Sequence, residues 1–461
     1  MFNSYENKNF NAYCGHCRFL LISNLSCKKY LELKSDARLV VPETLNDFQG
    51  ILDDAALMNF LRSPSFGETS SDDYFWPEAT INAASDLTRD TYFWRQVDYR
   101  YQNDWSEAYL AIYNTNLCLE GLGGVERIPA NSKVWDNIKG SALFYRSFYF
   151  FALTMQFGKA YDVNTSGLDL GIVLRLQSDF NVPSTRSSVQ DCLERVISDA
   201  ADAVQYLPEL PLNTTRPSKV AAYALLSRVY LYMRDYPNAL KFSDECLKLQ
   251  ATLMDFNGDP DVLGLDITVP FRRFNKETIF YAEMFPGMGL HAPSLARVDS
   301  TLYSSYNVND LRRRAYFRVN GGNQVFKGSY ASNAFTLFSG LAVDEIYLTR
   351  AESRAWTGDI PGAMADLNLL LKTRWRNAVT YLPLTATSRE EALLKVRTER
   401  RKELLMRNLR WADIKRLNKE GANIIPARFY KGQFYRLEVD APYYALPLPV
   451  DIIEQSGIPQ N

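Results

Sequence analysis

The sequence predicts a mainly α-helical protein made of tetratricopeptide-like helix pairs, together with an irregular, loop-rich lobe. Two observations predict the pairs: apolar side chains recur three and four positions apart, and very short turns separate such stretches. A third observation predicts the lobe, because residues 63–104 and 253–339 are rich in Ser, Asp, Asn, Gly and Pro. Irregular segments of that length usually form binding surfaces or lids.

The clearest helix pair lies between Pro217 and Leu247. Its first helix carries Ala, Leu, Val and Tyr at the spacing of one buried face, and Pro237 suits the first turn of its second helix. Only Asp235-Tyr236-Pro237 joins the two helices, so they must pack antiparallel. Alanines at fixed offsets let two helix backbones approach closely, which is typical of tetratricopeptide repeats.

The same unit recurs further along the chain. Residues 346–356 form one predicted helix, Gly358-Asp359 makes the turn, and a second helix continues through Leu370. Residues 105–122 with 135–157 are a weaker candidate pair. Residues 388–417 are a further helical candidate, for which the sequence shows no partner.

Capping boxes mark two predicted helix starts, because a Ser side chain and a side chain three residues later can satisfy the free N–H groups there. Ser187 with Gln190 starts a helix that ends at Pro208. Ser388 with Glu391 starts the 388–417 segment.

A set of charged residues follows the second capping box. Opposite charges three and four positions apart pair along a helix. Nothing in this set separates one carboxyl from its neighbour as a catalytic acid and base would require. We therefore interpret the set as a structural ion network: Glu399, Arg400, Glu403, Arg410 and Asp413.

The composition excludes several classes of function. The chain has 52 Lys and Arg against 53 Asp and Glu, a net charge of −1, so nothing favours a nucleic-acid partner. It has only two His, and no HExxH, GxSxG or phosphate-loop motif. We therefore predict no catalytic residue, no metal site and no cofactor. Hydrolysis of glycosides requires only two carboxylates, so composition does not exclude it.

Six cysteines occur, at positions 14, 17, 27, 118, 192 and 246. Cys14 and Cys17 form a CxxC pair with no second ligand pair, which is weak support for zinc. The last three fall inside helical patterns, where buried free thiols are expected. Cys27 follows Arg18, an apolar run and Ser26, which is the layout of a bacterial lipoprotein signal. The polar residues ahead of the run leave the true start open, and the alternative is an incidental Cys in a disordered tail.

Seven blocks, in order along the chain, carry a family resemblance: residues 25–32, 105–116, 140–158, 216–230, 345–352, 397–416 and 446–461. Together they resemble the SusD/RagB-like nutrient-binding lipoproteins of Bacteroidetes. In the strongest block the matching residues are Glu399-Arg400, Glu403-Leu404, Arg410-Trp411, Asp413 and Arg416. Leu405-Met406-Arg407-Asn408 departs from the Phe-Glu-Gly of many members, which puts the subfamily in doubt.

The resemblance implies a SusD-like α-α superhelix in three regions. Residues 1–27 would be the signal and lipobox, residues 28–250 the N-terminal region with the first repeat helices, and residues 251–461 the C-terminal region with the late ones. It also implies a surface-exposed protein anchored to the outer membrane by a lipid on Cys27. Such a protein captures an oligosaccharide or similar nutrient and delivers it to a SusC-like TonB-dependent transporter.

Ligand-binding side chains are expected on the irregular segments. Sugar rings present apolar C–H faces on which flat aromatic side chains stack. The first segment offers Tyr74, Trp76 and Trp94 as rings, with Asp73 and Arg95 as hydrogen-bonding neighbours. The second segment offers Tyr303, Tyr306 and Arg313 as weaker candidates. For each ring the alternative is that it packs its loop onto the core.

Two other functions stay open. One is an intracellular, peptide-binding helical-repeat adaptor that carries no lipid. The other is a surface glycosidase, because the sequence has carboxylates enough for that reaction. Lipid labelling separates the first from the lipoprotein interpretation, and release of reducing ends from glycans would identify the second.

Overall fold

Seventeen α-helices lie in residues 42–461, the part of the chain that the computed structural model describes. They are Leu45–Asp53 (α1), Ala55–Met58 (α2), Phe66–Ser70 (α3), Glu78–Ala83 (α4), Asp86–Tyr92 (α5), Asp104–Leu122 (α6), Ser132–Phe157 (α7), Val189–Tyr206 (α8), Lys219–Met233 (α9), Tyr236–Leu249 (α10), Ser300–Ser304 (α11), Arg312–Ala315 (α12), Val343–Thr357 (α13), Ile360–Arg374 (α14), Arg389–Glu403 (α15), Arg410–Asn418 (α16) and Val450–Ser456 (α17).

Short β-strands in the same residues form four two-stranded antiparallel sheets. The strands are Tyr74–Phe75 (β1), Thr278–Phe280 (β2), Arg297–Val298 (β3), Phe317–Asn320 (β4), Asn323–Phe326 (β5), Leu341–Ala342 (β6), Ala427–Tyr430 (β7) and Gln433–Arg436 (β8). β1 pairs with β3, β2 with β6, β4 with β5, and β7 with β8. The β1–β3 pairing places Tyr74 opposite Val298 and so joins the two irregular segments.

The long helices form a stack in which successive helices pack together. α6 packs on α7, α7 on α8, α8 on α9, and α9 on α10. α10 then packs on α13, which in turn packs on α14 and α15. The second irregular segment of the lobe, which lies between α10 and α13 in the sequence, is therefore inserted into a continuous stack. The predicted mainly helical, repeat-type fold is confirmed, and the weaker candidate pair is α6 with α7.

The two clear helix pairs share one turn geometry. Arg234 and Gly358 end their helices in the left-handed conformation, with φ of 63° and 97°. Asp235 and Asp359 then cap the next helix, accepting hydrogen bonds from Asn238 N (3.1 Å) and from the third residue of α14 (2.9 Å). A Pro follows in the first turn of each second helix. This common turn explains why both pairs fold as repeats of one unit.

The first predicted capping box is shifted by one residue. Ser188, not Ser187, caps α8: its hydroxyl accepts from Asp191 N at 3.0 Å, and the Asp191 carboxylate accepts from Ser188 N. Ser187 lies one residue before the cap, where its N–H donates to Ile172 O (2.9 Å) and its carbonyl accepts from Gly171 N (2.8 Å). Pairing with the preceding chain therefore sets where this helix begins.

The 388–417 segment is two helices, not one. Ser388 caps α15 as predicted, although Glu391 reaches back to Thr387 N (2.8 Å) and not to Ser388. The chain then breaks between α15 and α16, where Met406 and Asn408 take φ of 57° and 62°. The break lets Asn408 Nδ2 bond Pro64 O (2.6 Å), which fastens the first irregular segment to the stack.

Four hydrophobic clusters lie in the described chain, and two of them are large. One lies within the helix stack and includes the aromatic face of α7. The other contains residues of both irregular segments, from Tyr74 to Phe93 and from Met254 to Ala342, together with Leu405. The lobe predicted as exposed loops therefore has a core of its own.

Buried charges fasten this lobe to the stack. Glu403 accepts hydrogen bonds from Arg374 Nε and from Arg312 Nη1, both at 2.9 Å. Arg374 also donates to both oxygens of Glu277, at 2.8 and 2.9 Å, while Arg312 donates to Asp310. The side chains of Arg312, Arg374 and Glu403 are at most 1% exposed, so each depends on its partner for compensation of its charge.

A second buried group joins α13, α15 and α16. Glu352 accepts from Arg416 at 2.7 and 2.8 Å and from Arg397 at 2.7 Å. Asp413 accepts from Arg400 at 2.9 Å and from Arg416 at 2.7 Å. Each carboxylate thus bridges two arginines, and the three helices are held in one arrangement.

The predicted structural ion network is therefore confirmed, but its geometry differs from the prediction. Pairing three residues apart accounts for Glu399–Lys402 (2.6 Å) and Asp413–Arg416. The other pairs join different helices or join a helix to the lobe, because the helix buries these charges too deeply for solvent to compensate them.

Acid should weaken this network in a defined pH range. Burial by itself raises the pKa of Glu352, but the guanidinium groups of Arg416 and Arg397 hold it at about 2. An unfolded Glu has a pKa of about 4.3. Because the folded pKa is the lower one, this stabilisation is complete above about pH 4.3 and is lost as pH falls toward 2.

We expect Glu352→Gln to lower the free energy of unfolding at pH 7 by about 3–5 kcal/mol, since Arg416 and Arg397 each lose one of two carboxylate partners. The difference from wild type should shrink below about pH 4.3. Urea unfolding at a series of pH values measures it, with the exposed Glu126→Gln as the matched control. A difference that stays constant down to pH 3 would contradict this explanation.

Candidate ligand-binding site

The aromatic residues predicted on the first irregular segment lie inside the protein. Tyr74 and Trp94 contact the guanidinium of Arg428, whose carbon is 4.8 and 4.9 Å from the two ring centroids. Trp76 stacks on Tyr92 at 4.9 Å and donates its indole N–H to Leu290 O. The three predicted rings are 1%, 8% and 3% exposed, in the order Tyr74, Trp94, Trp76. Their faces contact protein and are unavailable for a sugar.

The two predicted polar residues beside those rings differ in position. Asp73 is buried and accepts a hydrogen bond from Arg401 Nε at 2.9 Å, so it belongs to the buried charges. Arg95 is exposed, pairs with Asp90 at 2.7 Å, and lies over the rings of Phe93 and Tyr435. Of the five residues predicted on this segment, only Arg95 is therefore at the surface.

The predicted residues of the second irregular segment also contact other parts of the protein. Tyr306 is 1% exposed and donates its hydroxyl proton to Lys402 O at 2.7 Å. Arg313 donates to the hydroxyl of Tyr303 at 3.1 Å and lies 4.5 Å from that ring's centroid. Tyr303 and Arg313 are half-buried and contact each other. The prediction of ligand contacts thus does not fit Tyr306, because its ring packs in the core of the lobe.

An open cleft lies elsewhere, at the outer side of α6. Its volume is about 780 Å³, and it is bounded by α6, by the loop of residues 173–184 and by α17. α6 contributes its Trp105–Tyr113 face, and α17 contributes Ile452 and Gln455. A cleft of this size suits a ligand of several rings.

Aromatic rings from α6, from the loop of residues 173–184 and from Tyr101 line the cleft. Trp105, Tyr109 and Tyr113 are spaced four residues apart and so lie on one side of α6. Phe180, from the loop, stacks on Tyr113 with centroids 4.9 Å apart and planes inclined by 22°. Phe180 and Tyr101 are 75% and 73% exposed, which leaves ring faces open to a ligand.

Hydrogen bonds hold the loop in place over α6. The hydroxyl of Tyr109 donates to Val173 O at 2.6 Å, and Asn116 Nδ2 donates to Arg175 O at 2.8 Å. Burial raises the pKa of Tyr109 well above its ordinary value, so this hydroxyl keeps its proton. Asp179 accepts from Asn181 N at 2.9 Å, a turn that holds the intervening Phe180.

The polar side chains at the cleft are of types that bind sugar hydroxyls. Asn181, Ser184 and Gln455 lie along its edge. Glu107 is the one carboxylate in the lining, and it is bound by the side chains of Arg62 and Gln102. The cleft therefore combines apolar ring faces with hydrogen-bonding groups and has no pair of free carboxylates.

A second, smaller cleft of about 250 Å³ has its charged groups already paired. Lys159 pairs with Asp169 at 2.8 Å, and Lys419 with Asp440 at 3.1 Å. Lys415 donates to two backbone carbonyls, at 2.8 and 2.6 Å, and burial lowers its pKa to about 7. This cleft offers a ligand fewer open groups than the cleft at α6.

The sequence predicts the α6 rings as part of a repeat helix and does not indicate Phe180 or Tyr101 as site residues. One signal was present: a helix that shows aromatic rings at every fourth position needs something to cover them. In the sequence, the polar loop around Phe180 gives no sign that it folds back onto α6. The contact between the two depends on tertiary structure alone.

Three further findings concern residues 42–461. Every helix there is too short or too polar to span a lipid bilayer. No cluster of His, Cys, Asp and Glu side chains in this part of the chain is arranged to hold a metal ion. Cys118, Cys192 and Cys246 are buried free thiols, as predicted. Cys14, Cys17 and the proposed lipidation site Cys27 lie outside the described residues.

Two family models match this chain. The SusD-like model described as "Starch-binding associating with outer membrane" matches residues 29–231, and the SusD family model matches residues 342–446. Among curated proteins, no sequence matches.

Many solved structures share the fold. A SusD superfamily protein from Bacteroides thetaiotaomicron has a TM-score of 0.73 at 23% identity, covering 91% of this chain and 99% of that one. A SusD superfamily protein from Bacteroides vulgatus has a TM-score of 0.71 at 20% identity, with coverages of 91% and 99%. A SusD-like carbohydrate binding protein from the same organism has a TM-score of 0.68 at 18% identity, with coverages of 90% and 97%.

The core position of Trp94 predicts a stability defect. We expect Trp94→Ala to lower the free energy of unfolding by about 3–5 kcal/mol, since it empties a buried site and uncovers Arg428. The partly exposed Trp356→Ala, at 37% exposure, should cost less. Urea unfolding measures both. If Trp94→Ala kept wild-type stability and lost ligand affinity, our assignment of this ring to the core would be wrong.

Proposed function

This chain belongs to the SusD/RagB-like family, and we propose that it binds a glycan at the bacterial cell surface and delivers it to a SusC-like TonB-dependent outer-membrane transporter. Family membership supports nutrient binding outside the cell. The observation that carries the choice of site is the open cleft at α6, with its exposed rings and polar edge.

The chemistry of the cleft supports a sugar as ligand. A pyranose has a flat C–H face that packs on an aromatic ring, and hydroxyls at its edge that need hydrogen-bond partners. Phe180 and Tyr101 offer ring faces, and Asn181 and Gln455 offer amides within the same cleft. Hydrogen bonds hold the loop of residues 173–184 on α6, so Phe180 and Asn181 need little reordering when a ligand binds.

The proposed location follows from the family and from the N-terminal sequence. One matching family model describes association with the outer membrane. We propose that a lipid on Cys27 provides this association, since Ser26-Cys27 follows a short apolar run. The transporter partner is proposed from family membership alone.

The two alternative functions differ in what they require. A glycosidase of the usual kind needs two carboxylates flanking the scissile bond. The cleft at α6 contains Glu107 alone, which Arg62 and Gln102 already bind. An intracellular peptide-binding adaptor would need no lipid, so lipid labelling distinguishes it from the proposed function.

Removal of an exposed ring tests the proposed site. We expect Phe180→Ala to weaken binding of a glycan identified on an array by about tenfold, the effect of losing about 1.4 kcal/mol of stacking. Calorimetry gives the affinities. Phe335→Ala is a matched control, because both side chains are 75% exposed and Phe335 lies outside the cleft. Equal affinities for the Phe180→Ala variant and wild type would remove the cleft as the site.

Lipid attachment can be tested in the native host. We expect metabolic labelling with a fatty-acid analogue to mark the wild-type protein and the Cys17→Ala control but not Cys27→Ala. Cys27→Ala should also leave the membrane fraction, because a protein anchored by acyl chains loses that affinity without them. Label retained in Cys27→Ala would contradict the proposed anchor, and label in none of the three would favour the adaptor.

A further inference from the structure

One cationic side chain of the α6 cleft has no carboxylate partner. Arg175 lines the cleft beside Tyr109 and Tyr113. Its Nη1 donates to Val182 O at 2.6 Å, which fixes the guanidinium within the loop. Within residues 42–461 it forms no ion pair, whereas many other arginines of the protein bind Asp or Glu. Its remaining N–H groups are available to a ligand.

The charge balance of the cleft also favours an anion. Glu107 is the one carboxylate of the lining, and Arg62 neutralises it by direct contact. Among the side chains that line the cleft, Arg175 is therefore the one charge without a partner of opposite sign. A guanidinium binds carboxylate or sulfate oxygens through two parallel N–H donors, and does so more strongly where water is partly excluded.

From this geometry we infer that the cleft takes an acidic glycan, in which a carboxylate or sulfate group binds Arg175 while a neighbouring sugar ring stacks on Phe180. The inference rests on the proposed function and adds the class of sugar to it. Phe180 and Arg175 belong to one short loop, and both line the same cleft. The aromatic ring and the positive charge therefore lie in the same cleft. A neutral oligosaccharide would contact the ring but would have no charged group for Arg175.

A paired glycan panel tests the inference. Uronate-bearing, sialate-bearing and sulfated oligosaccharides are each compared with a neutral counterpart of the same skeleton, made by esterification or desulfation. We expect at least one acidic member to bind about tenfold or more tightly than its counterpart. The preference should fall as salt is raised, because screening weakens a partly exposed charge contact. The acidic glycan that binds shows whether the anionic group is the carboxylate of a uronate, the carboxylate of a sialate or a sulfate.

Arg175→Gln supplies the protein side of the test. It should abolish the preference for the acidic member and leave the affinity for the neutral counterpart within about threefold, while Arg175→Lys keeps part of the preference. An unchanged affinity for the neutral counterpart shows that the substitution has not displaced the loop. Arg318→Gln is the matched control, because Arg318 is exposed, forms no ion pair in the described chain and lies outside the cleft.

The outcomes separate this inference from the proposed function. Equal binding of acidic and neutral members, or a preference that survives in Arg175→Gln, overturns the acidic class and leaves glycan binding in place. Failure of every glycan on the panel to bind overturns both. Loss of neutral binding together with acidic binding in Arg175→Gln also overturns the inference, since it assigns to Arg175 a role in holding the loop.

Discussion

The pairing of buried arginines with buried carboxylates is the constraint on which this fold depends. Glu403 lies at the end of α15 and binds Arg374 from the stack and Arg312 from the lobe, all nearly without solvent access. Removing one member leaves a charge that water cannot reach, which is far more costly than losing an exposed pair. The lobe therefore cannot shift relative to the helices without breaking several such contacts at once.

The need to compensate a buried arginine also explains why aromatic residues of the lobe lie in the interior. Arg428 is buried and is compensated by two carbonyl oxygens, of Ser71 and Tyr74, and by the faces of Tyr74 and Trp94. Rings that compensate a buried cation cannot also stack on a sugar. The rings of this aromatic-rich segment therefore pack in the interior. The exposed rings of the proposed site belong to other segments of the chain.

Periodicity, short turns and alanine offsets predicted the helix stack, because these signals are local and each helix carries its own. The candidate site could not be predicted in that way. Whether Trp94 faces Arg428 or solvent depends on a residue more than 300 positions away, and whether Phe180 is a loop residue or a wall of a cleft depends on its contact with Tyr113. The one-residue shift at Ser188 has the same cause, since a tertiary pairing at Ser187 decided it.

The position of the cleft follows from the architecture of a helix stack. Inner helices such as α9 and α13 pack on a long helix at each side. α6 comes first among the long helices, and beyond its Trp105–Tyr113 face lie only a loop and the short α17. A loop covers a helix less completely than another helix would, and what it leaves open is an aromatic surface held rigid from behind by α7. In the proposed function this end face binds the glycan without an added domain, and the loop that partly covers it contributes Phe180 and Arg175 to the choice of ligand.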